Sequence, residues 1–235
     1  MDPTVDRSLL RVSGTLLLVG QLLYVIVTLL HTGGEANNHP AIFAAYASSG
    51  IWTAVHVAQF ACMAIMLTGL LGLFSALDGQ LGAPRLANRF GAASTTAALA
   101  LSGAVLAVDG VALKQAVNAW ISAPDAEKAA RFATAETMRW LEWGTRSYED
   151  FTLGLAILAA AIVVRRALLT RPIADVMGLA GLTYLLQGWF AGVEGFSPTH
   201  TLGIVAAEVL NTVWMTSLLV VASRMPQSAS DSPPR

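Results

Sequence analysis

WTAVHVAQFACMAIMLTGLLGLFSAL, residues 52–77, contains no Asp, Glu, Lys or Arg from end to end. About 20 helical residues cross the ~30 Å of a bilayer's hydrocarbon, so this one stretch is long enough to span a membrane. Five more segments qualify: residues 12–31, 90–109, 145–164, 176–195 and 203–223, none interrupted by proline. The composition agrees. Of 235 residues, 55% are hydrophobic and 12% charged, about half the ~25% charge of a soluble domain, and the mean hydropathy is +0.60. The expected fold is therefore an all-α, polytopic bundle of six transmembrane helices in one domain, residues 1–224. The Pro/Ser-rich tail, residues 225–235, is expected to be disordered.

Composition also removes whole classes of function. A net charge of -1 leaves no basic field for nucleic acid. One cysteine, Cys62, makes neither an intrachain disulfide nor a thiolate-rich metal site. There is no phosphate-binding glycine loop, G-x-S-x-G, H-E-x-x-H or aspartate-rich diphosphate motif. Neither Lys114 nor Lys128 is deep enough in a span to carry retinal.

Lys and Arg set the expected orientation. With a cytoplasmic N-terminus, that side holds Arg7, Arg11, Arg85, Arg89, Arg165, Arg166, Arg171, Arg224 and Arg235, against Lys114, Lys128, Arg131, Arg139 and Arg146 opposite. The short outer links 31–51 and 194–201 carry no Lys or Arg, so both termini are read as cytoplasmic. No A-x-A-like site follows the first segment, which is read as a retained helix rather than a cleaved signal. Residues 90–110, FGAASTTAALALSGAVLAVDG, are rich in small side chains that let helices approach closely, which puts this helix at the bundle centre. Gly188 and Gly192 suggest another close contact. Ser122 reads as the N-cap of an amphipathic outer helix over 124–140 that leads into the fourth span.

Depth along each helix sorts the polar residues. At ~1.5 Å per residue, Asp150 and Glu208 lie more than halfway from the arginine-rich ends of their spans. Asn211, Gln187 and Glu194 fall at similar heights. Asp109, His31 and His56 come at the outer edge, with Gln59 one turn below His56. Polar groups at hydrocarbon depth face a bundle interior or a wet cavity, so the expectation is one outward-opening polar cavity above an apolar plug. Its catalytic candidates are Glu208, Asp150, His56, Arg146 and Glu142. Its lining candidates are Gln59, Asp109, Gln187, Glu194, Asn211, Trp189 and Trp214. Glu142, Arg146 and Asp150 step by four on one helical face, with Glu149 also in reach of Arg146, which reads as a proton-handling carboxylate or as a structural ion pair. Glu208 has no cation near it in sequence and is an acid usable near neutral pH; pairing across the bundle with Arg146 or Gln187 is the alternative.

His31, Glu35 and His39 have metal-ligand types at spacing four, but Gly33-Gly34 and Asn37-Asn38 break a helix there and favour a solvated loop. Haem needs two facing histidines; His31, His56 and His200 at the outer edge leave one outer haem or metal open, and the sequence requires no cofactor. His56, Gln59, Met63 and Met66 form one stripe, a packing face with a polar cap. Trp52, Trp120, Trp140 and Trp143 read as an interfacial aromatic belt.

HPAIFAAYASSGIWTAVHVAQF (residues 39–60) and GWFAGVEGFSPTHT (residues 188–201) resemble bacterial multi-pass membrane proteins of unknown function. The resemblance implies an inner-membrane protein of about this size and no particular activity. The functional expectation is a membrane-embedded enzyme doing acid–base chemistry (cyclisation, isomerisation or hydrolysis) on a hydrophobic, lipid-soluble substrate. The alternatives are a small-molecule or proton-coupled transporter and a non-catalytic subunit or sensor.

Overall fold

Six helices long and apolar enough to cross a membrane carry the structure, a computed structural model that describes residues 5–79, 81–168 and 171–225. The elements are α1 (Arg7–Thr28), α2 (His39–Ser48), α3 (Trp52–Ala76), α4 (Ala83–Ala107), a π-helical segment (Val108–Leu113), α5 (Lys114–Ile121), α6 (Asp125–Ala167), α7 (Arg171–Glu194) and α8 (Pro198–Arg224). The long ones are α1, α3, α4 continued through the π segment and α5, α6, α7 and α8. Their unpartnered faces carry Val12, Ile26, Val57, Leu186, Val209 and other exposed apolar side chains. On a molecule in water such faces would be a liability; in lipid they are the solvated surface.

The helices form a closed ring. Each long helix packs on the next in the order α1, α3, α4, α6, α7, α8, and α8 returns to α1. Six crossings bring both ends of the described chain to one face, called here the terminal face; the other is the distal face. At the terminal face the Asp6 amide donates to the Ala76 carbonyl, and the Arg11 guanidinium donates to the carbonyls of Ala222 and Met225. That half of the ring is filled by Leu10, Leu17, Leu70, Phe74, Ile157, Val164, Met177 and Leu218.

Small residues set the closest approaches. A Cβ on Gly20 would lie 2.6 Å from the Met66 amide nitrogen, and one on Gly69 would lie 2.7 Å from that of Leu17, so α1 and α3 meet nearly backbone to backbone. The contact anticipated at Gly188 is present: its position against the Ser147 carbonyl leaves 2.7 Å for a Cβ, and the Ser147 hydroxyl donates to the Gly188 carbonyl at 2.7 Å. The central position expected for α4 goes instead to α6. In α6 67% of the most apolar window is buried, against 39% in α4, because the contacts of α6 with α4 and α7 together are the most extensive that any helix makes.

Two boundaries differ from expectation. The outer helix over 124–140 and the span over 145–164 are one helix, α6, 43 residues long and roughly 64 Å at 1.5 Å per residue. Its N-cap is Pro124, with no side-chain cap; Ser122 instead ends α5 and donates to the Asn118 carbonyl. The 31–51 link is not all loop: α2 forms in it, started by Asn38 at the N-cap and Pro40 in the first turn. Together α2, α5 and the start of α6 make a distal cap with its own aromatic core of Ile42, Phe43, Tyr46, Trp52, Leu113, Val117 and Ala135. Both lysines serve this cap. Lys114 Nζ donates to the carbonyls of Tyr46, Ala47 and Ser49 at the end of α2, and Lys128 Nζ to those of Trp120 and Ile121 at the end of α5. The tail expected to be disordered lies outside the described residues beyond 225.

Candidate functional site

Three polar groupings occupy the interior, all from mid-depth to the distal cap. The deepest joins α1, α7 and α8. Gln21 donates to a Glu208 carboxylate oxygen. Asn211, one turn on, donates to the Tyr184 hydroxyl at 2.9 Å and accepts from Trp214 Nε1 at 2.9 Å. Every polar atom of that second chain is used, as a low-dielectric interior requires.

A second grouping lies on α6 and its neighbours. Arg146 and Glu149 pair at 2.8 Å; Tyr24 of α1 faces the arginine, and Ser102 of α4 lies beside the glutamate. Asp150 points toward His200 in the first turn of α8, with Oδ2 3.8 Å from Nε2, too far for a hydrogen bond. Asp150 Oδ2 and both His200 ring nitrogens are buried without a hydrogen-bond partner, as is Gln187 Nε2. Gln187 packs on Gly203, one turn along α8 from His200. Such groups cost roughly 1–3 kcal/mol each when unmade, and here they come from three adjacent helices.

The third grouping is at the distal end of the ring. His31 follows α1, His56 is in the second turn of α3, and Asp109 is in the π segment. Their ligand atoms all lie within 4.8 Å of one another. Trp52 Nε1 donates to the Asp109 carbonyl at 2.9 Å and Thr53 Oγ1 to that of Gly110 at 2.8 Å, so α3 holds the wide π turn in place. Gly110 is required there, because a Cβ would lie 2.5 Å from the Cβ of His56. Behind the cluster Arg139 and Glu142 form a buried pair at 2.7 Å, and the Arg139 guanidinium lies over the rings of Tyr46 and Phe196. Burial pushes the Tyr46 hydroxyl well above the ordinary tyrosine range, with Arg139 opposing.

The candidates sort as follows. Asp150, Arg146 and Gln187 are in the α6–α8 grouping, Glu208 and Asn211 with Trp214 in the α1–α8 one, and His56 and Asp109 in the distal one. Gln59 donates to Thr28 Oγ1, one turn below. Glu142 pairs with Arg139 rather than with Arg146, so the expected Glu142–Arg146–Asp150 ladder divides between two sites. Two lining candidates face away: Trp189 is 60% exposed on the outside of α7, and Glu194 is exposed at its end. His31, Glu35 and His39 do not converge. His39 Nδ1 is 2.9 Å from Glu136, and Glu35 accepts from Asn38. Nor do His31 and His56 straddle space for a haem macrocycle, since their rings lie 5.1 Å apart and both touch Trp52, at 4.7 and 4.5 Å. Trp52 is buried, not part of an interfacial belt. The open cleft of about 700 Å³ at Ile162, Arg165, Arg166 and Arg171 is on the terminal face, opposite the polar groupings.

Arg139 and Tyr24 were not singled out as site residues from sequence, and His200 was read there only as a candidate for an outer haem or metal, not as a neighbour of Asp150. Only His200 carried a usable signal: with Pro198 and Ser197 before it, it sits in the first turn of a span, capped by the Ser197 hydroxyl. No protein-family model, curated protein or solved structure matches the chain.

Proposed function

We propose that this is a membrane-embedded enzyme that carries out acid–base chemistry on a lipid-soluble substrate at Asp150 and His200. The observation that carries the reading is the pair's unmade hydrogen bonds: Asp150 Oδ2 and both nitrogens of His200 are buried, unpartnered and 3.8 Å apart at closest. A polar substrate atom about 3 Å from each would complete both, and a carboxyl facing an imidazole supplies one group to give a proton and one to take it. Gln187 Nε2 is a third free group with which to orient the substrate. Arg146, one turn from Asp150, and Glu149, next to it in sequence, act as positioning residues that keep charge balanced around it. Isomerisation, cyclisation and hydrolysis all fit this chemistry.

Access is from the distal side, where His200 opens α8. The membrane is a bacterial-type inner membrane with the terminal face cytoplasmic, as the arginines of that face favour. The test is turnover. Purified protein is incubated with a total lipid extract, and the lipid species are compared by chromatography and mass spectrometry. The wild type is expected to deplete one species and raise another. Asp150→Asn and His200→Gln should fold and abolish that change. An unchanged extract with wild type, or equal conversion by both variants, would overturn the proposal.

A further inference from the structure

We propose a second site, independent of Asp150 and His200: His31, His56 and Asp109 bind one divalent transition-metal ion of the zinc or iron(II) class. His56 Nδ1 is 2.7 Å from the Trp52 carbonyl, and His31 Nδ1 is 3.0 Å from the Thr32 carbonyl. A carbonyl only accepts, so each Nδ1 carries a proton, and in a neutral ring Nε2 is then a bare lone pair. Both Nε2 atoms are directed at the same carboxylate oxygen: Asp109 Oδ2 lies 2.8 Å from that of His56 and 3.9 Å from that of His31. Lone pairs facing a carboxylate need a positive charge among them.

A proton answers for one pair of atoms; three donors converging from three elements suit an ion that takes several. Donors around a four-coordinate ion at about 2.0–2.1 Å stand roughly 3.3 Å apart, and the 2.8 and 3.9 Å separations bracket that value. Asp109 Oδ1 is buried with no partner and adds a second carboxylate oxygen. The Nδ1–carbonyl bonds are the outer contacts that fix a ligating imidazole's orientation and tautomer. Charge is also suitable, because Arg139 is neutralised by Glu142 and Asp109 leaves a net negative site. Two imidazoles and one carboxylate leave coordination positions open, as catalytic zinc and non-haem iron centres do. The π turn that places Asp109 is a distortion frequent at functional sites.

Co²⁺ is the probe, since its visible spectrum reports imidazole and carboxylate ligation. Wild type stripped by chelator and titrated with Co²⁺ should bind one equivalent with new visible bands that Zn²⁺ abolishes. His31→Gln and Asp109→Asn should weaken binding at least about tenfold, while His39→Ala, outside the cluster, should bind as wild type. X-ray absorption of the Zn²⁺-loaded wild type, which depends on no variant, should show two imidazole ligands. No stoichiometric binding by wild type, equal binding by the two ligand variants, or a zinc spectrum without imidazole would overturn the proposal and leave His56 and Asp109 as an ordinary ion pair.

Discussion

Asn211 shows how a polar residue persists at hydrocarbon depth. It is fully buried, and its amide nitrogen and oxygen each have a partner in Tyr184 and Trp214, one on a neighbouring helix and one three residues on. Asn211→Leu would leave the Trp214 N–H and the Tyr184 hydroxyl without that partner, and is expected to cost about 1–3 kcal/mol, read as a lowered unfolding midpoint in detergent. Glu208→Gln should be milder than Gln21→Leu, because a glutamine still accepts from Gln21 whereas leucine leaves the carboxylate without its donor. Equal losses for the two would contradict the pairing. Which polar residues lie well inside the spans was legible in the sequence because helical rise is constant: Asp150, Gln187 and Asn211 are buried, and Glu208 is half-buried. Partners were not. Arg139 and Arg146 lie one turn to either side of Glu142 on α6, so the rotamer decides which of them it meets. Whether Trp189 faces core or lipid depends on the rotation of α7, which is apolar nearly all round, so that no moment marks its inward face.

Among the elements, close contacts between helices rest on particular glycines. Gly20→Ala and Gly69→Ala would each drive a Cβ into the facing backbone of α1 or α3 and are expected to destabilise by about 1–3 kcal/mol. Gly178 meets nothing within 4 Å, so Gly178→Ala should be neutral or slightly stabilising. Thermal unfolding of the three in one detergent checks the contrast, and a Gly178 variant as damaged as the others would contradict it. The spans were legible from apolar length alone, as was the loop around Gly33-Gly34. The π segment was not, because an inserted residue in a helix leaves no change in periodicity that a run such as AVLAVDG can show. Nor was α2, whose Asn38 and Pro40 start signals lie in a link that Gly33-Gly34 and Asn37-Asn38 mark as a loop.

Across the whole molecule, the ring order explains why chemistry collects at one end. The terminal half is filled with apolar side chains, while the distal half receives His31, Asp109, Asp150 and His200 from four different helices or their extensions. The arginines crowd the terminal face, so that face should be cytoplasmic. Gly33→Cys, in the distal link with free space around it, should react with an impermeant maleimide on intact cells. Leu81→Cys, exposed between α3 and α4, should react only after permeabilisation; the reverse pattern would contradict the orientation. The ring order itself was not in the sequence, since six apolar helices can be arranged in many ways and only the packed small residues choose among them.

The proposed chemistry requires the buried, unpartnered Asp150–His200 pair to hold a lipid-soluble molecule. Native mass spectrometry of the detergent-purified protein after exposure to a lipid extract tests it most directly. The expected result is a species heavier than the 24.7 kDa chain by one small lipid-like molecule, beyond any metal ion, that disappears in folded His200→Ala. A chain that never gains such a mass, or a His200→Ala variant that retains it, would contradict the account.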